Sequence, residues 1–192
     1  MSAPPLLAAA LLKPLPTAAG APAVAASSLW ANSPLLLLAV RRPGCQLCRA
    51  GASSLLQLKP QLDALGVRLA AVLVEDLPAQ VDEFRAHHWP GELYLDDSAA
   101  VYRTLGDGEL RRGTLLGFAA SLANPFSATW RNVRSAKGVE GNFEGDGMTF
   151  GGVLVLRKGG AVEYAFQEKV WGDSPPNEEV LKAVQAAVAA SK

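Results

Sequence analysis

An α/β protein, with a sheet covered by helices on both faces, is the fold class this sequence predicts. Three observations predict it. Apolar runs of strand length alternate with segments whose leucines recur at helical spacing. The run Leu35 to Val40 is apolar throughout, which suits a strand buried on both sides. A pair of cysteines stands at the junction between that run and the helical segment after it.

The elements follow in order. Leu35 to Val40 is the first strand of the core. Cys48 to Leu65 reads as a helix, with Leu55, Leu58, Leu62 and Leu65 on one face, Lys59, Gln61 and Asp63 outward, and Gly66 as its stop. Val67 to Val74 is a second apolar strand, ending at Glu75-Asp76. Pro78 to Trp89 is helical, opened by proline and closed before Pro90-Gly91. Glu92 to Leu95 is a short strand, and Asp96-Asp97-Ser98 can cap a helix over Ala99 to Leu105. Val153 to Leu156 and Val162 to Phe166 read as a hairpin around Gly159-Gly160. Pro176 to Ala190 closes the chain as an amphipathic helix, with Glu178 and Glu179 in its first turn. This order, β-α-β-α-(β-α)-β-β-α, is that of a thioredoxin-like fold, a central mixed sheet flanked by helices. Residues 27–192 are expected to form that domain, with a helical and loop insertion over about 106–150 before the last hairpin.

The 192 residues are enough to bury roughly two thirds of the unfolded surface without a structural disulfide or metal. Lysine plus arginine equals aspartate plus glutamate, 18 against 18, so no global field draws nucleic acid or an anionic membrane. No run reaches the ~18 apolar residues of a spanning helix. Residues 1–26 are rich in Ala, Pro and Leu and are expected to be a flexible lead-in. Leu6 to Leu12 resembles the apolar region of a signal peptide, but no Lys or Arg precedes it. With only two cysteines a secreted disulfide framework is excluded, and one close pair fits a cytoplasmic redox motif, with organelle targeting and secretion left open.

The chemistry is concentrated in Arg41-Arg42-Pro43-Gly44-Cys45-Gln46-Leu47-Cys48-Arg49. A helix start offers unpaired N–H groups and partial positive charge, and cationic neighbours lower a thiol pKa. Cys45, at the cap, is expected to be the exposed nucleophile, and Cys48, one turn on, the resolving thiol. Arg42 is the expected partner of a thiolate or a polarised peroxide oxygen. Glu75, at the carboxyl end of the second strand, is a candidate proton acceptor for Cys48. The alternatives for the pair are weaker: zinc needs about four ligands and only His87 and His88 remain, while inert thiols fit poorly with three arginines. No metal and no tightly bound cofactor is expected.

In the insertion, Thr114 to Ala123 and Pro125 to Val133 read as short helices, and every charge between Leu110 and Gly138 is basic. Either those charges form a pocket for an anionic substrate or cofactor, or they are a solvated face over packed apolar residues. Gly141 to Gly147 matches neither a phosphate loop nor the dinucleotide fingerprint and reads as a turn-rich loop approaching the dithiol.

Several stretches together resemble the peroxiredoxin-like 2 family, a thioredoxin-fold branch related to the alkyl-hydroperoxide-reductase and thiol-antioxidant enzymes. They are Leu29-Trp30, Ala39 to Arg49, Leu65-Gly66-Val67 with Ala71-Val72 and Glu75, Gly141 to Gly147 with Gly151-Gly152-Val153, and Glu168-Lys169 before Gly172-Asp173. The chain lacks the Pro-x-x-x-Thr-x-x-Cys of standard peroxiredoxins, and Phe150-Gly151-Gly152 stands where thioredoxins carry a cis-proline. The resemblance implies thiol-disulfide or antioxidant activity on peroxides or protein disulfides, with a thiol donor or NADPH supplying electrons. Its sister branch, the prostamide/prostaglandin F synthases, implies an NADPH-dependent endoperoxide reductase as the alternative. A redox-regulated binding protein is the non-enzymatic reading.

Overall fold

A computed structural model describes residues 3–16 and 22–191 of the chain. Its seven-stranded sheet runs in the order β2-β1-β5-β4-β3-β6-β7. The strands are β1 (Leu11–Pro14), β2 (Val24–Ala25), β3 (Leu35–Ala39), β4 (Arg68–Leu73), β5 (Glu92–Leu95), β6 (Gly152–Leu156) and β7 (Val162–Gln167). β3, β4 and β5 are parallel, and β1, β6 and β7 join antiparallel. The sheet is therefore mixed.

Strand alternation divides the core into two layers. Leu35, Leu37 and Ala39 face a cluster containing Leu7, Trp30, Val101 and Tyr102. Leu36 and Val40 face the opposite cluster, built from Leu55, Leu62, Phe84 and Val184. Both faces are covered, so β3 shows no polar alternation. The helices are α1 (Pro5–Ala8), α2 (Gln46–Leu56), α3 (Lys59–Ala64), α4 (Pro78–His87), α5 (Ala100–Leu105), α6 (Leu115–Ala123), α7 (Ala128–Ser135) and α8 (Asn177–Ala189).

Two expectations need correction. The single helix expected over Cys48 to Leu65 is two, α2 and α3, divided just before Pro60, whose missing N–H and fixed φ suit a first helical turn and not a helix interior. Of residues 1–26, expected as a flexible lead-in, the described ones, 3–16 and 22–26, are built into the sheet and its core, and 1–2 and 17–21 lie outside the described residues. β1 pairs with β5, Lys13 opposite Leu95, and Leu7 and Leu12 are fully buried. The alanine-rich composition hid a short strand that extends the sheet between β2 and β5. The bond between α5 and the site is more direct: the Tyr102 hydroxyl donates to the carbonyls of Val40 and Val72, at 2.7 and 3.0 Å, tying the carboxyl ends of β3 and β4 together.

Candidate active site

β3 ends at Ala39, and the chain turns through Arg41 to Gly44 before α2 begins. The Cys45 N–H donates to the Arg42 carbonyl at 3.3 Å, and Cys45 is the N-cap of α2 with extended backbone (φ −78°, ψ 125°). Its carbonyl receives the Arg49 N–H at 2.9 Å. A sulfur at a helix cap faces the unpaired N–H groups of the first turn. Both thiols are free.

Arg41, buried at 2% exposure, carries the electrostatics. One of its terminal nitrogens donates to Cys45 Sγ at 3.2 Å and lies 3.5 Å from Cys48 Sγ. Burial alone would loosen the Arg41 proton, but the two thiols and Glu168 more than reverse this, and the guanidinium stays charged. A hydrogen bond from the Cys48 thiol, then the charges of Arg41 and Arg42, hold Cys45 down to about 4 against its burial. Cys48 moves the other way, because that hydrogen bond favours its protonated form and burial adds to the effect. The pair is thus a thiolate at Cys45 beside a thiol at Cys48.

Arg42 has another task. It donates to the Asn142 carbonyl at 2.6 Å and the Glu144 carbonyl at 3.1 Å, with Phe143 stacked 5.5 Å away. Its influence on Cys45 is electrostatic only. The loop it holds lies on the dithiol turn: the Asn142 N–H donates to the Gly44 carbonyl at 2.7 Å. A Cβ on Gly44 would stand 1.8 Å from Gln80 Oε1 and 2.5 Å from Asn142 Oδ1, so a larger residue there would push those side-chain ends aside. Arg49, 1% exposed, anchors the same turn through the carbonyls of Pro43 and Glu140 and a bidentate pair with Glu83.

Glu75 is placed differently from expectation. Its carboxylate accepts the Asp146 N–H at 2.8 Å and so fixes the far end of the glycine-rich loop. The carboxylate that shares a cavity with Cys48 and Arg41 is Glu168, at the end of β7, which accepts the Gly151 N–H at 2.8 Å. Burial pushes its carboxyl up, partly offset by Arg41 and by that N–H. A proton held there is within the electrostatic reach of Cys48. Sequence reasoning quoted Glu168 without giving it a role; the signal it lacked was the β6–β7 register.

Two cavities meet at the pair. One, about 300 Å³, contains Cys48, Arg41, Glu168 and Asp173. The other, about 450 Å³ and largely apolar, contains Cys45 and lies beneath Phe118, Leu122, Trp130 and Trp171. Trp171 is buried, packing on Phe118 and Phe150 with ring centroids 5.0 and 5.3 Å away. Cys45 is 7% exposed, more buried than Cys48 and not the open nucleophile expected, because the insertion and the glycine-rich loop cover it.

Residues 54–170 match the family model described as AhpC/TSA antioxidant enzyme, a span that begins after the dithiol. Peroxiredoxin-like 2A of Danio rerio is 40% identical over 164 residues, covering 85% of this chain and 73% of that protein. Prostamide/prostaglandin F synthase of Sus scrofa is 37% identical over 163 residues, covering 84% and 79%. Among solved structures, peroxiredoxin Q of Xanthomonas campestris superposes with a TM-score of 0.62 at 16% identity, covering 98% of this chain and 97% of that one. That likeness concerns the fold, which is thioredoxin-like.

Proposed function

The chain belongs to the AhpC/TSA antioxidant-enzyme family, in its peroxiredoxin-like 2 branch, and is an oxidoreductase; on that premise we propose that Cys45 and Cys48 cycle between dithiol and disulfide to reduce peroxides or protein disulfides. The observation that supports this most is the single Arg41 guanidinium set against both sulfurs, 3.2 and 3.5 Å away.

With a peroxide, the Cys45 thiolate attacks one oxygen, the O–O bond breaks, and the departing alkoxide takes a proton to leave as an alcohol, or as water from hydrogen peroxide. Cys45 is left as a sulfenic acid. The Cys48 sulfur then attacks Cys45 Sγ and expels the hydroxyl as water, forming the disulfide. Glu168 accepts the Cys48 proton directly or through water. Two thiols of an external donor, or NADPH as hydride source, return both electrons. With a protein disulfide, Cys45 enters a mixed disulfide and Cys48 resolves it.

The test is peroxide and disulfide turnover by Cys45→Ser and by Cys48→Ser. Cys45→Ser is expected to be inactive, and Cys48→Ser to stall with one substrate or donor attached through Cys45. Wild-type turnover by Cys45→Ser sinks the reading. The apolar cavity at Cys45 with arginines at its base favours a second reading, an NADPH-dependent reductase of prostaglandin endoperoxides, the activity in the name of the Sus scrofa relative. NADPH oxidation driven by endoperoxide but not by hydrogen peroxide would select it. The cytoplasm is the proposed compartment, since a reducing environment keeps such a pair in its dithiol form.

A further inference from the structure

The insertion carries an apolar surface that the reaction does not use. From Gly113 to Trp130 the sequence has eighteen residues without a charge. α6, Leu-Leu-Gly-Phe-Ala-Ala-Ser-Leu-Ala, is apolar around most of its circumference and has no buried residue. A helix of that composition is normally covered on every side. Here Leu115, Phe118 and Leu122 turn to the Cys45 cavity, while Leu116, Ala119, Ala120 and Ala123 turn to solvent. Leu115, Leu116, Phe126 and Phe143 are 74, 81, 90 and 80% exposed, and no other large apolar side chain of the described residues exceeds 59%.

We propose that the α6–α7 face docks on an anionic lipid surface, with the mouth of the Cys45 cavity turned toward the bilayer. The charge pattern selects this occupant. The nearest charged residues on both sides of the uncharged segment are basic, Arg111 and Arg112 before it and Arg131, Arg134 and Lys137 after it, and all five are exposed. Leucine and phenylalanine with a basic border match the interfacial layer of an anionic membrane, where acyl chains lie behind phosphate headgroups. Arg112 is partly neutralised by Asp146, at 2.9 Å, so the attraction rests on the remaining four. Glu144, beside Phe143, takes the Gln80 amide at 2.7 Å. A second copy of the chain fits less well: a two-fold contact through this face would set each basic border close to its own counterpart. The chain's zero net charge conceals this local asymmetry. Among the described residues no helix is long and apolar enough to cross a membrane, so the contact is peripheral.

The docking goes beyond the thiol chemistry and is read without turnover. Wild-type protein is sedimented with vesicles of phosphatidylcholine alone and with vesicles also containing phosphatidylserine. Binding to the mixed vesicles is expected, weakened by salt, and reduced about tenfold or more in the Leu116→Glu/Phe126→Glu variant, whose side chains are exposed and whose fold is checked by circular dichroism. Arg131→Glu/Lys137→Glu tests the border independently and should lower binding to the mixed vesicles alone. Absence of binding to mixed vesicles, or equal binding by the variants, overturns the proposal. A solution dimer that Leu116→Glu/Phe126→Glu converts to monomer, without vesicle binding by the wild type, assigns the face to a second copy instead.

Discussion

The Glu168 carboxylate accepts the backbone N–H of Gly151 at 2.8 Å, and Gly151 itself sits so close to β3 that a Cβ there would lie 2.1 Å from the Ala39 carbonyl oxygen. This contact fixes the end of β7 against the start of β6, which pairs with the end of β3, and brings the carboxylate into the cavity of Cys48 and Arg41.

Glu168→Gln should therefore slow resolution more than attack. The amide cannot take the Cys48 proton, so disulfide formation is expected to fall by about a hundredfold while Cys45 keeps its reactivity, in line with the usual contribution of a general base. Trapping of the sulfenic acid by a dione reagent, followed with peroxide consumption in the first turnover, separates the two steps. Equal slowing of both would place Glu168 outside the proton path.

Arg41→Met removes the donor shared by both sulfurs. The Cys45 pKa should rise by roughly one to three pH units, because an opposite charge at this distance favours the ionised form by that amount. Alkylation by iodoacetamide at mildly acid pH should slow in proportion. Arg42→Met should have the smaller effect on alkylation, since that side chain is committed to the loop carbonyls.

Thiolate character gives a pH dependence with a definite sign. Cys45 is held at about 4 in the folded protein, below a thiol's ordinary 9.0. A group whose folded pKa is lowered adds its stability in full above the unfolded value and loses it as pH falls through the folded one. Reduced wild-type protein should thus lose stability relative to Cys45→Ser between pH of about 9 and about 4. Denaturant midpoints across that range, with thiolate ultraviolet absorbance alongside, measure it.

Gly141→Ala tests how tightly the loop sits on the dithiol turn. Its Cβ would stand 2.5 Å from the Gln46 backbone nitrogen, so backbone must move, and overpacking of this kind costs about 1–3 kcal/mol. Gly51→Ala is the control: nothing lies within 4 Å of its Cβ, and alanine in a helix gains about 0.5–1 kcal/mol over glycine. Chemical denaturation of the two variants should move in opposite directions.

Much of this architecture was readable from residues alone, for a physical reason. β3 and β4 are buried on both faces, so they appear as unbroken apolar runs, and the stop at Gly66, with φ +67°, needs glycine. The cysteine pair was legible because its chemistry is local. What failed was long-range. Which of Arg41 and Arg42 meets the sulfurs depends on a turn held by a loop about a hundred residues later. Glu168 depends on register: the β6–β7 hairpin slips between Val155 and Leu156, and a one-residue slip exchanges the faces of every side chain beyond it. β1 was missed because a four-residue strand inside an alanine- and proline-rich segment gives almost no periodic signal.

Cys45 fronts one cavity and Cys48 the other, with Arg41 and Leu47 forming the wall common to both. An oxidant seated over the first sulfur leaves the second open to view. Electron giver and electron taker need not queue for a single doorway, and steady-state kinetics should show neither one acting as a competitive inhibitor of the other.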